Sequence, residues 1–248
     1  MFILPDWTMS NIIIYSAIGL FALLMGPFDY YQWVPLRYSK FGTQEGISSR
    51  WGMTILYGLP IITAFLTARS YLPNASIMQW IVFGAVVFHF SKRVLEALFV
   101  HKYSSKMSVF AMLGVAAFYS FVAGMIAWLN AETIPQMDFL FNLGMIFFLI
   151  GIMGNAYHHR LLADLRKDKD GYFIPQGGWF EYATCPHYFF ELLGWLGIFL
   201  LSRHFFTLLA LIGMIGYLSG RSIKTRQWYR ENFDDYPAER KYMIPFIF

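Results

Sequence analysis

Residues 155–191 read NAYHHRLLADLRKDKDGYFIPQGGWFEYATCPHYFFE, and the contrast between this stretch and its flanks decides the fold. Before it stands FLFNLGMIFFLIGIMG (139–154) and after it LLGWLGIFLL (192–201), both almost wholly apolar. The stretch itself gathers His, Arg, Lys, Asp, Tyr and paired glycines in a chain that is 57% hydrophobic and only 14% charged. Chemistry is expected here, and packing in the apolar runs.

Working outward, 26 Phe, 16 Tyr and 8 Trp in 248 residues, with a mean hydropathy of +0.47, exceed what a water-soluble domain carries. Apolar runs of spanning length predict helices at 11–33, 51–70, 76–100, 107–129, 138–163, 186–201 and 205–222. The fold class is therefore all-α, a polytopic membrane protein with seven transmembrane helices. The run from Asn11 to Phe28 has no basic leader before it and no small-residue cleavage site after it, so it reads as the first span and not as a signal peptide. Basic residues gather in the first connection (Arg37, Lys40, Arg50), the third (His101, Lys102, Lys106), the fifth (Arg166, Lys167, Lys169) and the C-terminal tail (Arg221, Lys224, Arg226, Arg230). The second and sixth connections hold only Arg69 and Arg203, and the fourth has Glu132 and Asp138. By the positive-inside rule the N-terminus lies outside and the C-terminus is cytoplasmic. The formal charge of +4 thus reports topology and not nucleic-acid binding. A single cysteine, Cys185, excludes an internal disulfide and a cysteine-based zinc site. Without internal repeats or linkers, residues 1–248 read as one domain.

Three groups of polar residues interrupt the apolar pattern. In HFSKRVLEALFVHKY (89–103), helical spacing puts His89, Lys92, Arg93 and Glu96 on one stripe. Ionisable groups at that depth cost about 2.5 to 3.5 kcal/mol each, so they pair or line a polar cavity. The alternative is that Lys92 and Arg93 extend to the interface while Glu96 pairs with Lys92. In the fifth span Asn155, His159, Leu162 and Arg166 share a face that suits a phosphate-bearing ligand. Adjacent His158 and His159 point about 100° apart and cannot readily chelate one ion, so no metal is expected. Further on, Pro175 and the Gly177-Gly178 pair break regular structure and let backbone approach a ligand. No G-x-G-x-x-G follows a strand, so a nucleotide would not bind through a doubly wound sheet. Tyr188 and Glu191 sit one turn apart at the start of the sixth span, and Gly213, Gly216 and Gly220 in the seventh favour close helix packing.

The loop IPQGGWFEYATCPHYFFELLGWLGIFL (174–200), together with the ending RQWYRENFDDYPAERKYMIPFIF (226–248), resembles the C-terminal half of the steroid 5-alpha-reductase family. That resemblance implies a seven-helix membrane enzyme that uses NADPH to reduce a carbon-carbon double bond conjugated to a carbonyl. It places Asn155, His159, Arg166, Tyr172, His187, Glu191, Arg221 and Tyr229 at the cofactor, and the substrate cavity mainly in spans one to four, with residues 155–248 forming the NADPH site. His159 stands where the steroid enzymes commonly have Asp, His187 for a usual Asn and Thr225 for a usual His. Tyr57 and Phe90 occupy positions where those enzymes hold the substrate carbonyl with Glu and Tyr. The third span instead is similar to the trans-2-enoyl-CoA reductase branch, which implies roles for Lys92 and for Tyr188.

The resulting expectation is a reductase of a 3-oxo-delta-4 steroid or, as the alternative, of a long-chain 2-enoyl-CoA. Tyr57 is the hydrogen-bond donor to the carbonyl oxygen, assisted by the His89/Lys92 stripe, with solvent or a tyrosine protonating the alpha carbon. The enzyme sits in a bacterial inner membrane or the endoplasmic reticulum among membrane lipids, with its active site open to the cytoplasm. Two other classes predict different ligands: a small membrane methyltransferase would bind S-adenosylmethionine, and a lipid carrier would need no nucleotide-facing Arg166.

Overall fold

Seven α-helices form among the residues that the computed structural model describes, namely 2–33, 42–132, 136–167 and 171–248. They are α1 (Met9–Tyr30), α2 (Ser49–Ala68), α3 (Ile77–Leu95), α4 (Val109–Glu132), α5 (Phe139–Asp164), α6 (Pro186–Ser202) and α7 (Phe205–Asn232). Five of them, α1, α2, α4, α5 and α7, are long and apolar enough to cross a membrane. Of the other two, α6 has 17 residues, and α3 carries Lys92 and Arg93 in its last turn. Of the basic residues expected in the connections, Arg37, Lys40 and Lys169 lie outside the described residues.

Local sequence sets the helix starts. Ser76 caps α3 in a reciprocal box: its side chain accepts from Gln79 N at 3.3 Å, and the Gln79 side chain accepts from Ser76 N at 2.9 Å. Asp138 caps α5 by accepting from Phe141 N at 3.0 Å, and the same carboxylate pairs with the buried Arg203. Arg203 ends α6 in a left-handed conformation with φ 59°, so the one basic residue of the sixth connection is neutralised inside the fold. Outside, Ile12, Ile13, Leu20 and Leu23 on α1 and Ile62, Phe65 and Leu66 on α2 remain exposed, an apolar surface suited to lipid.

The helices pack chiefly in three pairs, α5 on α6, α2 on α4 and α1 on α7. The α7 glycines do what the sequence predicts: a Cβ placed on Gly26 of α1 would meet the Gly216 carbonyl oxygen at 3.1 Å. A second glycine seam, Gly144 and Gly151 against Gly194 and Gly197, joins α5 to α6.

Two departures from the sequence reading matter for the site. First, α7 runs ten residues beyond the apolar span ending at 222, to Asn232. Arg221, Lys224, Arg226 and Arg230 therefore belong to a helix and not to a tail; their charge ends the hydropathy signal without ending the helix. Second, α3 widens into a π turn at Glu96–Val100, where His101 N reaches the Glu96 carbonyl at 2.8 Å. Behind α7 the last residues fold back as a strap: Thr184 N donates to Lys241 O at 2.8 Å and Cys185 N to Tyr242 O at 2.9 Å. Arg240, buried, donates from Nη1 to Pro175 O at 2.7 Å, which fastens the glycine-containing loop.

Candidate active site

A cavity of about 240 Å³ opens among the ends of α2, α3, α5 and α7, the 101–105 loop and the loop that leads into α6. The expected face of α5 lines it: Asn155, His159, Leu162 and, just past the helix end, Arg166. From α7 come Arg221, Thr225 and Tyr229, spaced by four residues on one side of the extended helix. Tyr172 of the preceding loop, His187, Tyr188 and Glu191 of α6 and Tyr57 of α2 complete the lining. Ten of the twelve residues singled out from sequence thus share one cavity.

His89 and Lys92 are the two that do not line it. His89 Nε2 lies 3.3 Å from Glu191 Oε1, so it stands behind that carboxylate. Lys92 turns inward, donating to Asn155 Oδ1 and pairing with Glu96 at 2.7 Å; it does not extend to an interface. Of the stripe, Arg93 is the member that reaches the cavity. Its Nη2 donates to the Tyr57 hydroxyl at 2.9 Å, while Nη1 lies 2.5 Å from Glu96 Oε2 and 2.9 Å from His159 Nδ1. Of the stripe expected beside Tyr57, it is thus Arg93 and not His89 or Lys92 that is seen bonded to its hydroxyl. Consecutive helical residues diverge by about 100°, which sends Lys92 to α5 and Arg93 to α2. Tyr57 is further held by stacking on Tyr119, with centroids 5.9 Å apart and rings 17° from parallel.

Also lining the cavity, Asn155 donates from Nδ2 to His187 O at 2.9 Å. The Arg166 guanidinium lies 4.0 Å over the Tyr172 ring and donates from Nη1 to Lys102 O at 3.0 Å. Its Nη2 is buried and has no hydrogen-bond partner among the described residues, an N–H left for an incoming acceptor. Arg221, buried, sits 3.3 Å from the buried Asp29 of α1. The Tyr229 ring stacks on Tyr236 at 5.4 Å, whose hydroxyl bonds Thr184 Oγ1 at 2.6 Å.

The adjacent histidines divide their work. His158 Nδ1 donates to Gly154 O at 2.7 Å and Nε2 accepts from Trp179 N at 3.1 Å, which pins the loop to α5. His159 faces the cavity, with the His101 ring at 4.8 Å and the His187 ring at 5.4 Å. Burial, and then the Arg93 guanidinium beside it, pushes the His101 imidazole down to about 4, so it lines the cavity uncharged at neutral pH. The paired glycines do not line the cavity, contrary to the expectation that they receive a ligand. Gly178, at φ 56°, presses on α5 so closely that a Cβ would fall 2.8 Å from the Tyr157 ring. Glu96, His101 and His159 bring ligand-type atoms within 4.8 Å of one another. The Arg93 guanidinium and the Lys92 ammonium already engage that carboxylate, so a divalent cation would meet two positive charges there.

Sequence reasoning passed over Arg93 as the partner of Tyr57, Tyr119 as its stacking neighbour and Asp29 as the partner of Arg221. Arg93 was visible as a charge in a span; the other two contacts depend on how helices meet.

A sequence model of the family described as 3-oxo-5-alpha-steroid 4-dehydrogenase matches residues 75–248, which contain α3 to α7 and leave Tyr57 outside. The bovine protein 3-oxo-5-alpha-steroid 4-dehydrogenase 1 is 29% identical over 224 residues, covering 85% of this chain and 86% of its own length. Steroid 5-alpha-reductase DET2 of Gossypium hirsutum is 38% identical over 110 residues, 44% of this chain and 43% of that protein. Polyprenal reductase of Xenopus laevis is 31% identical over 187 residues, 68% of this chain and 59% of that protein. The match therefore spans less than two thirds of the plant and frog proteins.

Proposed function

We propose that this chain, which belongs to the 3-oxo-5-alpha-steroid 4-dehydrogenase family, reduces a carbon-carbon double bond conjugated to a carbonyl in a hydrophobic lipid, with NADPH as the reductant. The observation that carries the reading is the Tyr57–Arg93 contact at 2.9 Å, in a cavity that the guanidinium groups of Arg166 and Arg221 also line. The hydroxyl so held suits a carbonyl oxygen, and the two guanidinium groups suit a phosphorylated cofactor.

When bound, NADPH supplies a hydride to the beta carbon of the acceptor. Negative charge then builds on the carbonyl oxygen, and the Tyr57 hydroxyl donates a hydrogen bond to it. Arg93 donates to the phenol oxygen of Tyr57 and so stabilises the charge that Tyr57 takes on as it shares its proton. Such a preorganised donor is worth most where water is excluded, and the Tyr119 stack, Met53 and Leu218 provide that wall. Tyr188, also at the cavity, supplies the proton to the alpha carbon. Asn155, His159, Arg166, Tyr172, His187, Glu191, Arg221 and Tyr229 hold the cofactor. The orphaned N–H of Arg166 and the buried Arg221 fit its phosphates, because guanidinium offers fixed fork geometry to phosphate oxygens.

The chain works as one membrane domain, its first four helices shaping the lipid side and residues 155–248 the cofactor side. Lys102 lines the cavity and donates to Lys167 O, which supports a cytoplasmic mouth and an N-terminus on the far side. A 3-oxo-delta-4 steroid is the preferred acceptor. A long-chain 2-enoyl thioester is the second reading, favoured by the Lys92 contact to Asn155 on the third-span motif. The test is NADPH consumption by detergent-solubilised protein offered progesterone or a long-chain trans-2-enoyl-CoA, with product mass measured. Saturated steroid is the expected product; turnover of the thioester alone moves the assignment to the second reading, and absence of NADPH binding overturns the function.

Arg166→Gln should raise KM for NADPH by about 10- to 100-fold, the worth of one or two charge-assisted hydrogen bonds, with a smaller change for NADH. Steady-state kinetics with both nucleotides checks it; equal effects on the two would move Arg166 away from the extra phosphate.

A further inference from the structure

We propose that Glu96 is a positioning residue that governs both sides of the site: it sets Arg93 against the Tyr57 phenol and, through Lys92, sets Asn155 toward the cofactor. Its first half rests on the reading of Tyr57 as carbonyl donor and its second on that of Asn155 as a cofactor contact.

Glu96 is buried and is not among the cavity-lining residues, so whatever it does passes through its neighbours. Three of them converge on one carboxylate: Arg93 Nη1 at 2.5 Å and His159 Nδ1 at 3.0 Å, both on Oε2, and Lys92 Nζ at 2.7 Å on Oε1. Each of the two cations has a second partner at the site, Tyr57 for Arg93 and Asn155 for Lys92. These second contacts point to different helices, α2 and α5. Lys92 and Arg93 would otherwise be two partly buried like charges on consecutive residues, and a carboxylate one turn along is what holds both side chains in place.

The backbone supports the same assignment. The π turn begins at Glu96, and such turns insert one extra residue where a helix must re-aim its side chains. Here it carries the chain from Glu96 to His101, which packs edge-on against His159 at 4.8 Å. The histidine that receives the Glu96 carboxylate is thus also fixed from its other side.

The test is a pair of double-mutant cycles on the full-length protein, E96Q with Y57F and E96Q with N155A. E96Q alone should lower kcat by about 10- to 50-fold and raise the Kd for NADPH by about 5- to 10-fold, as loss of one charged partner in a coupled network does. In the Y57F background the same change should move kcat by less than about threefold, because Arg93 then has no phenol oxygen to hold. In the N155A background it should likewise leave the Kd for NADPH nearly unchanged. Wild-type kcat and Kd in E96Q overturn the proposal, as do losses that multiply independently in both cycles, the pattern of a merely structural residue. Should Y57F itself retain full turnover, the donor reading fails, and the Asn155 cycle alone decides Glu96. If E96Q does not fold, E96D takes its place with the same coupling expected.

Discussion

Tyr57→Phe is expected to lower kcat by about 10²- to 10³-fold, the usual effect of removing one donor to a developing oxyanion, while the Kd for NADPH stays within about twofold of wild type. The substitution removes one oxygen and little else. The ring keeps its stack on Tyr119 and its place 4.8 Å beneath the Arg93 guanidinium, so the packing of α2 against α4 is retained and the melting temperature should hardly move. Because the lost bond forms fully only in the transition state, kcat and kcat/KM fall together. Steady-state and single-turnover kinetics with a saturating acceptor make the measurement. Arg93→Lys sharpens it: a lysine cannot hold Tyr57 and Glu96 with one planar fork, so it should give part of the Tyr57→Phe loss although the cation remains. Full turnover in Tyr57→Phe would sink the assignment of the carbonyl to this side of the cavity.

The readable parts of this protein were those written in short-range pattern. Hydropathy located seven helices to within a few residues at most ends, because a lipid-facing segment must be apolar along its whole length. The Asn155–Arg166 face was visible because spacings of four and seven residues fix a direction on any helix. Hydropathy failed where composition and conformation part, at the basic half of α7: Thr225 and Tyr229 reach the cavity from the part of the helix that continues past the apolar run. Lys92 and Arg93 could not be told apart from their sequence, since both are cations at the same depth. Their difference lies in what surrounds each, α5 for one and Tyr57 for the other. The Asp29–Arg221 pair joins residues 192 positions apart, and nothing in the local sequence of α1 names its partner. The glycines of α5 and α6 stand in apolar runs with no local mark of a contact, yet they are where these two helices touch.

That seam carries the largest stability effect to be expected. Gly151→Ala should destabilise the fold by about 3 kcal/mol, at the upper end of what overpacking costs, and lower the melting temperature by about 6 to 12 °C for a chain of this size. A Cβ on Gly151 would lie 2.3 Å from Gly194 N, 2.6 Å from Gly194 Cα and 2.7 Å from Phe190 O. All three obstacles are backbone atoms of α6, so no side chain can turn aside, and the helices themselves must separate. The separation would reach the site, because Asn155 follows Gly151 by one turn on α5 and His187 and Glu191 lie just before Gly194 on α6. The 2.9 Å bond from Asn155 Nδ2 to His187 O spans the same gap, so weaker NADPH binding should accompany the lower melting temperature. Gly114→Ala on α4 is the control, since a Cβ there meets nothing within 4 Å; replacing a helical glycine in open space should leave stability unchanged or raise it by up to about 1 kcal/mol. Thermal unfolding in detergent and NADPH titration of both variants test the pair. An unaltered melting temperature in Gly151→Ala would mean that α5 and α6 stand farther apart than their backbone contacts require.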